Sequence, residues 1–135
     1  MKKLILCFFW LAFLGSAMGQ TRETLVQQAT DEMLSLYQLN GQQAEEMLTI
    51  QERRFRNLES IEPLRESDLK LYLQKKNSIR ELTQASIKRM LTEQQLAVFN
   101  AQVVERRKQE SALIQRLKAE GATKEDIQYA IWEME

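Results

Sequence analysis

The side chains best suited to chemistry in this chain are cations, and they fall in three clusters. These are Arg53, Arg54 and Arg56; Lys75, Lys76 and Arg80; and Arg106, Arg107 and Lys108. Beside them stand Met47, Phe55 and Phe99. Such a mixture binds without reacting. Charge speeds the encounter, while Met and Phe repack around whatever apolar segment arrives. The candidate contact surface is therefore the three clusters with Met47 and Phe55. The plainer reading makes Met47, Phe55 and Phe99 core residues, with the cations standing at the rim.

Covalent and metal chemistry are poorly supplied. The sequence has no His and one Cys, Cys7, which lies in an N-terminal segment read below as removed. Ser–His–Asp and Cys–His nucleophile systems, His- or Cys-based zinc sites and Glu-x-x-His di-iron ligands are excluded on that ground. Neighbouring carboxylates such as Glu45 and Glu46 project about 100° apart on a helix, so they read as a solvated face rather than an acid–base pair. No Gly-rich phosphate loop is present. The expectation is no catalytic residue, no metal ligand and no cofactor: not an enzyme.

The elements that must position the cations are helices. From residue 20 onward the only helix-breakers are Gly41, Pro63 and Gly121, and helix formers dominate. Two matching signatures mark helix starts, Leu39-Asn40-Gly41-Gln42-Gln43 and Leu91-Thr92-Glu93-Gln94-Gln95. In the second, Thr92 is the N-cap and Gln95 reaches back to it, a capping box, with Leu91 stapled onto Leu96. In the first, Asn40 caps, Gln43 is the reciprocal partner and Leu39 faces Ala44.

The pattern predicts a first helix from about Arg22 to Gln38, with Leu25, Ala29, Met33, Leu36 and Tyr37 on one face. A second runs from Gly41 to about Glu59 with Ala44, Met47, Leu48, Phe55 and Leu58 aligned. Ser60 to Pro63 is a break. A third helix, from Leu64 or Asp68 to Met90, carries Leu69, Tyr72, Ile79, Leu82 and Met90, widened by Leu73 and Ile87. The fourth follows Thr92 to about Glu120 with Leu96, Phe99, Val103, Ile114 and Leu117 in phase. Gly121 ends it, and Thr123 caps a short last helix with Ile127, Ala130, Ile131 and Met134.

These stripes are interrupted. Gln51 to Asn57, Gln74 to Glu81 and Glu105 to Glu110 are almost wholly polar. A closed four-helix bundle wants a continuous apolar seam. The expected fold is therefore all-α, with long antiparallel helices in two tandem hairpins forming a thin open bundle or cradle completed by a second copy. The competing reading has long Arg and Lys stems lining the rim of a narrow bundle.

Two L-T-x-x-Q-like motifs in a small all-helical chain resemble the Spy/CpxP family of periplasmic proteins. The motif residues are Leu39, Asn40, Gln43, Leu91, Thr92 and Gln95, with Asn40 standing where the family has Thr. The resemblance implies a thin curved homodimer that binds unfolded or stressed envelope proteins without ATP. It also implies the alternative of a dedicated regulator docking on an envelope sensor kinase, as CpxP-like members do. A third possibility is a small subunit with no role beyond self-assembly.

Residues 1–19 read as a signal peptide. Lys2 and Lys3 precede an apolar run from Leu4 to Leu14 and small residues at Gly15 to Gly19. A cleaved, periplasmic chain of residues 20–135 follows as one domain without stable membrane insertion. Losing Lys2 and Lys3 from 19 basic residues leaves 17 against 19 acidic, a charge near −2. That argues against nucleic acid as a partner. It also departs from the basic concave face of the family's chaperone members. The last helix either docks on a partner or covers the end of the bundle.

Overall fold

A computed structural model describes residues 21–134. The signal-peptide reading of residues 1–19 lies outside the described residues. Six helices follow one another: α1 (Arg22–Tyr37), α2 (Gly41–Ile61), α3 (Leu64–Ser67), α4 (Leu69–Met90), α5 (Glu93–Ala119) and α6 (Lys124–Glu133). The described residues are all-helical. The break read at Ser60–Pro63 is shorter than expected, because α2 continues to Ile61. Pro63 then opens the single turn of α3, and Asp68 caps α4 by accepting the Leu71 N–H at 2.9 Å.

The termini carry the caps the sequence announced. Asn40 and Gln43 form a reciprocal capping box on α2, Thr92 and Gln95 on α5, and Thr123 and Asp126 on α6. After α5, Gly121 takes a left-handed φ of 79°, a backbone conformation that a Cβ would strain. Gln38 holds the same region without being glycine, at φ 51°. Its N–H is satisfied by the Leu34 carbonyl.

The helices close a ring of contacts. α1 packs on α2, α2 on α4, α4 on α6, α6 on α5, and α5 returns to α1; α3 folds against α4. Direct packing between α4 and α5 is slight.

Two apolar clusters hold the ring. The first joins Tyr37, Met47, Ile50, Ile87, Leu91 and Phe99, flanked by Met33, Leu39 and Leu96. The second joins Ile61, Tyr72, Leu73 and Ile79, flanked by Leu58, Tyr129 and Trp132. Because α2 and α4 run antiparallel, Met47 shares a cluster with Ile87 at one end while Ile61 shares one with Tyr72 at the other. The polar midsections of both helices fall between the clusters. The interrupted stripes thus mark a real gap in the apolar packing.

Several expected stripe residues stand outside it. Leu69 is 53% and Leu82 66% exposed. On α4 the buried line runs through Tyr72, Leu73, Ile79, Ser86 and Ile87, and Leu82 lies on the order of 100° round the helix from its middle. On α1 the buried positions are Val26, Thr30 and Tyr37, leaving Leu36 at the surface. Met47 is fully buried. It is a core residue and offers nothing to a partner at the surface, because α1, α4 and α5 all supply its neighbours in the first cluster.

The start of α6 is held by carboxylates. Lys70 Nζ donates to Glu125 Oε1 at 2.9 Å, and this bond and charge hold Glu125 below the usual carboxylate range. Asp126 is lowered by accepting from the Thr123 hydroxyl and backbone N–H, at 2.6 and 3.0 Å. Depressed folded pKa values mean that released α6 takes up protons more readily. The stabilisation is therefore complete above the ordinary carboxylate pKa, about 4, and is lost as pH falls through the lowered values. Both carboxylates are exposed, so the effect is small. Trp132 fluorescence should report slight further loosening of α6 below about pH 4, while far-ultraviolet circular dichroism still shows the long helices.

Candidate functional site

Between the two apolar clusters lies an open groove of about 630 Å³, within the range of ligand-binding clefts. All five helices of the ring contribute to it. Met33 and Tyr37 come from α1, Arg54 and Leu58 from α2, and Lys76, Ile79, Arg80 and Ile87 from α4. Phe99, Val103, Arg106 and Arg107 come from α5, and Trp132 from α6.

Five residues from all three basic clusters converge here: Arg54, Lys76, Arg80, Arg106 and Arg107. Glu32, Glu81 and Glu110 are the acidic counterparts. Long-stemmed cations thus share one concavity with Met33, Leu58, Phe99, Val103 and Trp132. Arg106 Nε donates to Glu110 Oε1 at 2.9 Å, with side chains only 16% and 26% exposed. Arg80 Nη2 donates to Asn77 Oδ1 at 2.6 Å. Burial, and then the charge of Arg106, lower the pKa of Arg80, against the pull of Glu110 and Glu81. A guanidinium stays protonated under such pressure, so both side chains remain charged in the groove.

The remaining members of the clusters point elsewhere. Arg53 Nη2 donates to Ser86 Oγ at 2.8 Å and ties α2 to α4. Arg56, Lys75 and Lys108 are exposed outside the groove lining, Lys108 with Glu105 at 3.8 Å. Phe55 is half-buried, with the Arg54 guanidinium 5.2 Å from its ring centre, and does not line the groove.

Two contributors, Gln51 and Trp132, escaped sequence reasoning, and a third, Tyr37, was read only as part of the apolar face of α1. Gln51 is 2% exposed, its Oε1 accepting from Arg54 Nη1 at 3.3 Å and its Nε2 lying 3.7 Å from Met47 Sδ. Nothing in its polar neighbourhood announced a buried amide. Tyr37 donates its hydroxyl to Gln102 Oε1 at 2.6 Å, which joins α1 to α5, and burial pushes its pKa up. Trp132 did have a signal. It stands three residues after Tyr129, a helical spacing that puts the two rings edge to face with centres 5.9 Å apart.

The two motifs meet. Gln43 Nε2 donates to Gln95 Oε1 at 2.8 Å, and Gln95 Nε2 donates back to Gln43 Oε1 at 3.0 Å. The same two oxygens accept the cap N–H groups of Asn40 and Thr92, at 3.1 and 2.9 Å. Gln43 Nε2 also reaches the Met90 carbonyl at 3.0 Å. Two capping boxes are thus locked back to back and fix the starts of α2 and α5 beside each other. Thr92→Ala removes the outer cap alone, and loss of one cap costs about 1 kcal/mol. Thermal melting should fall accordingly while binding per folded molecule is unchanged; an unaltered melting temperature would contradict the capping role.

No family model, curated protein or solved structure matches this chain. Among the described residues no group of three or more His, Cys, Asp and Glu side chains is placed to hold a metal ion, and no helix is long and apolar enough to cross a membrane.

Proposed function

We propose that this is a periplasmic, ATP-independent chaperone-like protein that holds unfolded or stressed envelope proteins in the groove. The observation that supports it most is convergence. Cations from three separated sequence clusters share one open concavity with Met33, Leu58, Phe99, Val103 and Trp132. An unfolded segment brings apolar side chains and scattered charges together, and a groove of this lining meets both. The helices read as two tandem hairpins, the second of them, α4 with α5, bridged by α6 rather than packed directly. In this reading they form a thin open cradle completed as a homodimer, as the resemblance to Spy/CpxP proteins implies. Export of residues 20–135 by a cleaved signal belongs to the same reading.

A second reading is favoured by the mixed charge of the groove. Its cations face Glu32, Glu81 and Glu110, and Arg106 is already engaged with Glu110. A patterned surface of this kind suits one complementary partner, such as an envelope sensor kinase under negative regulation.

The test is aggregation of two unrelated denatured proteins, without ATP, with increasing amounts of the 20–135 chain. Suppression of both near stoichiometric ratios is the expected result. Suppression of neither, by a chain shown to be helical, would remove the chaperone reading. Sedimentation at micromolar concentration tests the dimer, which a clean monomer would contradict.

A further inference from the structure

We infer that α6 is a displaceable occupant of the groove, seated where an incoming chain segment would bind. The inference rests on the binding role proposed above for its consequence, though not for the mobility of α6 itself.

α6 bridges α4 and α5, which touch each other only slightly. Trp132 and the following Met134 line the groove, and Arg106 Nη2 donates to the Met134 carbonyl at 3.3 Å. The segment therefore forms part of the wall of the concavity and uses one of its cations.

Its attachment is weak. None of its residues is buried. Its ion pair to α4, Lys70–Glu125, joins side chains 55% and 62% exposed, and such pairs contribute little. The apolar hold comes from Tyr129 and Trp132, both partly exposed against the second cluster. At 10 residues α6 is too short to persist alone, so leaving its seat also means melting. The connector to α5 includes Gly121 at φ 79°, a turn that separates the two helices cleanly.

What α6 covers is what an unfolded chain needs. Its departure uncovers the side of the second cluster that Tyr129 and Trp132 pack on, beside Arg106. Among the described residues the seat offers α6 two cations as polar partners, Lys70 and Arg106. A competing segment should therefore carry aromatic or aliphatic residues flanked by carboxylates, as α6 does with Glu125, Asp126, Tyr129 and Trp132.

Trp132 makes the test direct, because Trp10 is the only other tryptophan and lies outside the 20–135 chain. Amide exchange without any added protein comes first: α6 should exchange at least ~100-fold faster than the centres of α2 and α4. Exchange of α6 as slow as those centres overturns the inference, whatever else is found.

The second measurement adds reduced, carboxymethylated lactalbumin, a permanently unfolded acidic protein. Lactalbumin has tryptophans of its own, so Trp132 is followed as 5-fluorotryptophan, whose fluorine signal should move to a solvent-exposed shift on binding. Tethering the K70C/E125C variant with a bis-maleimide should weaken binding by at least ~10-fold relative to the same variant left untethered. Equal affinity of the tethered and untethered forms overturns displacement. Rapid α6 exchange with no lactalbumin binding by the untethered chain upholds the mobile strap and removes the chaperone reading instead.

Discussion

Replacing Gln43 by Ala should lower the melting temperature by about 10 °C, a loss of roughly 2 kcal/mol. Gln43 is 8% exposed, and its side chain makes four hydrogen bonds to three residues. It accepts from the Asn40 and Gln95 N–H groups and donates to the Gln95 and Met90 oxygens. A net hydrogen bond is worth about 1 kcal/mol, and a buried group left unpaired costs more. The Gln95 amide would lose its partner across the helix junction, so Gln95→Ala should destabilise for the same reason. Since each mutation already breaks the shared pair, the double variant should lose about 1 kcal/mol less than the two single losses together. Strict additivity would show that the motifs act as separate caps.

Met47→Ala should be the most damaging single substitution, at about 2–5 kcal/mol. Met47 is fully enclosed among Tyr37, Ile50, Ile87, Leu91 and Phe99, so truncation leaves a cavity that four helices border. With only two small apolar clusters among the described residues, little apolar packing stands in reserve. Met47→Leu keeps the volume and should cost less than about 1.5 kcal/mol. Chemical denaturation separates the two variants. An Ala variant as stable as the parent would return Met47 to the surface role that its neighbourhood in the sequence suggested.

That contrast shows where the sequence was legible. Caps are local, so Asn40, Thr92 and Thr123 declared the starts of α2, α5 and α6 to the residue. Gaps in apolar periodicity were legible as well. The polar midsections foretold an interruption, and the groove occupies it. The direction of single side chains was not. Arg53 and Arg54 are adjacent and chemically alike, yet one binds Ser86 and the other lines the groove. A helical step of about 100° separates them, and only the placement of α4 decides which faces inward. Meeting of the two glutamines was hidden for a related reason. Each was read as satisfied by its own cap, and the spare amide protons become informative only when two helix starts are known to abut.

α6 shows a third kind of limit. Its apolar face was read through Ile127, Ala130, Ile131 and Met134, while Tyr129 and Trp132 make the packing against the second cluster. Ile127, Ala130, Ile131 and Met134 are half-buried, as the stripe predicts, and the large rings of Tyr129 and Trp132 widen that face to reach the second cluster.

The central claim is that the groove, rather than the outer basic surface, holds unfolded chains. The most direct measurement compares two charge-reversed pairs of equal charge change by titration against reduced, carboxymethylated lactalbumin. Lys76→Glu with Arg107→Glu alters the groove lining, whereas Arg56→Glu with Lys108→Glu alters exposed cations outside it. With both variants shown to be helical, the groove pair should weaken binding by about 10-fold or more and the outer pair only slightly. Equal losses from the two pairs would contradict the account, since binding would then follow overall charge and not the groove.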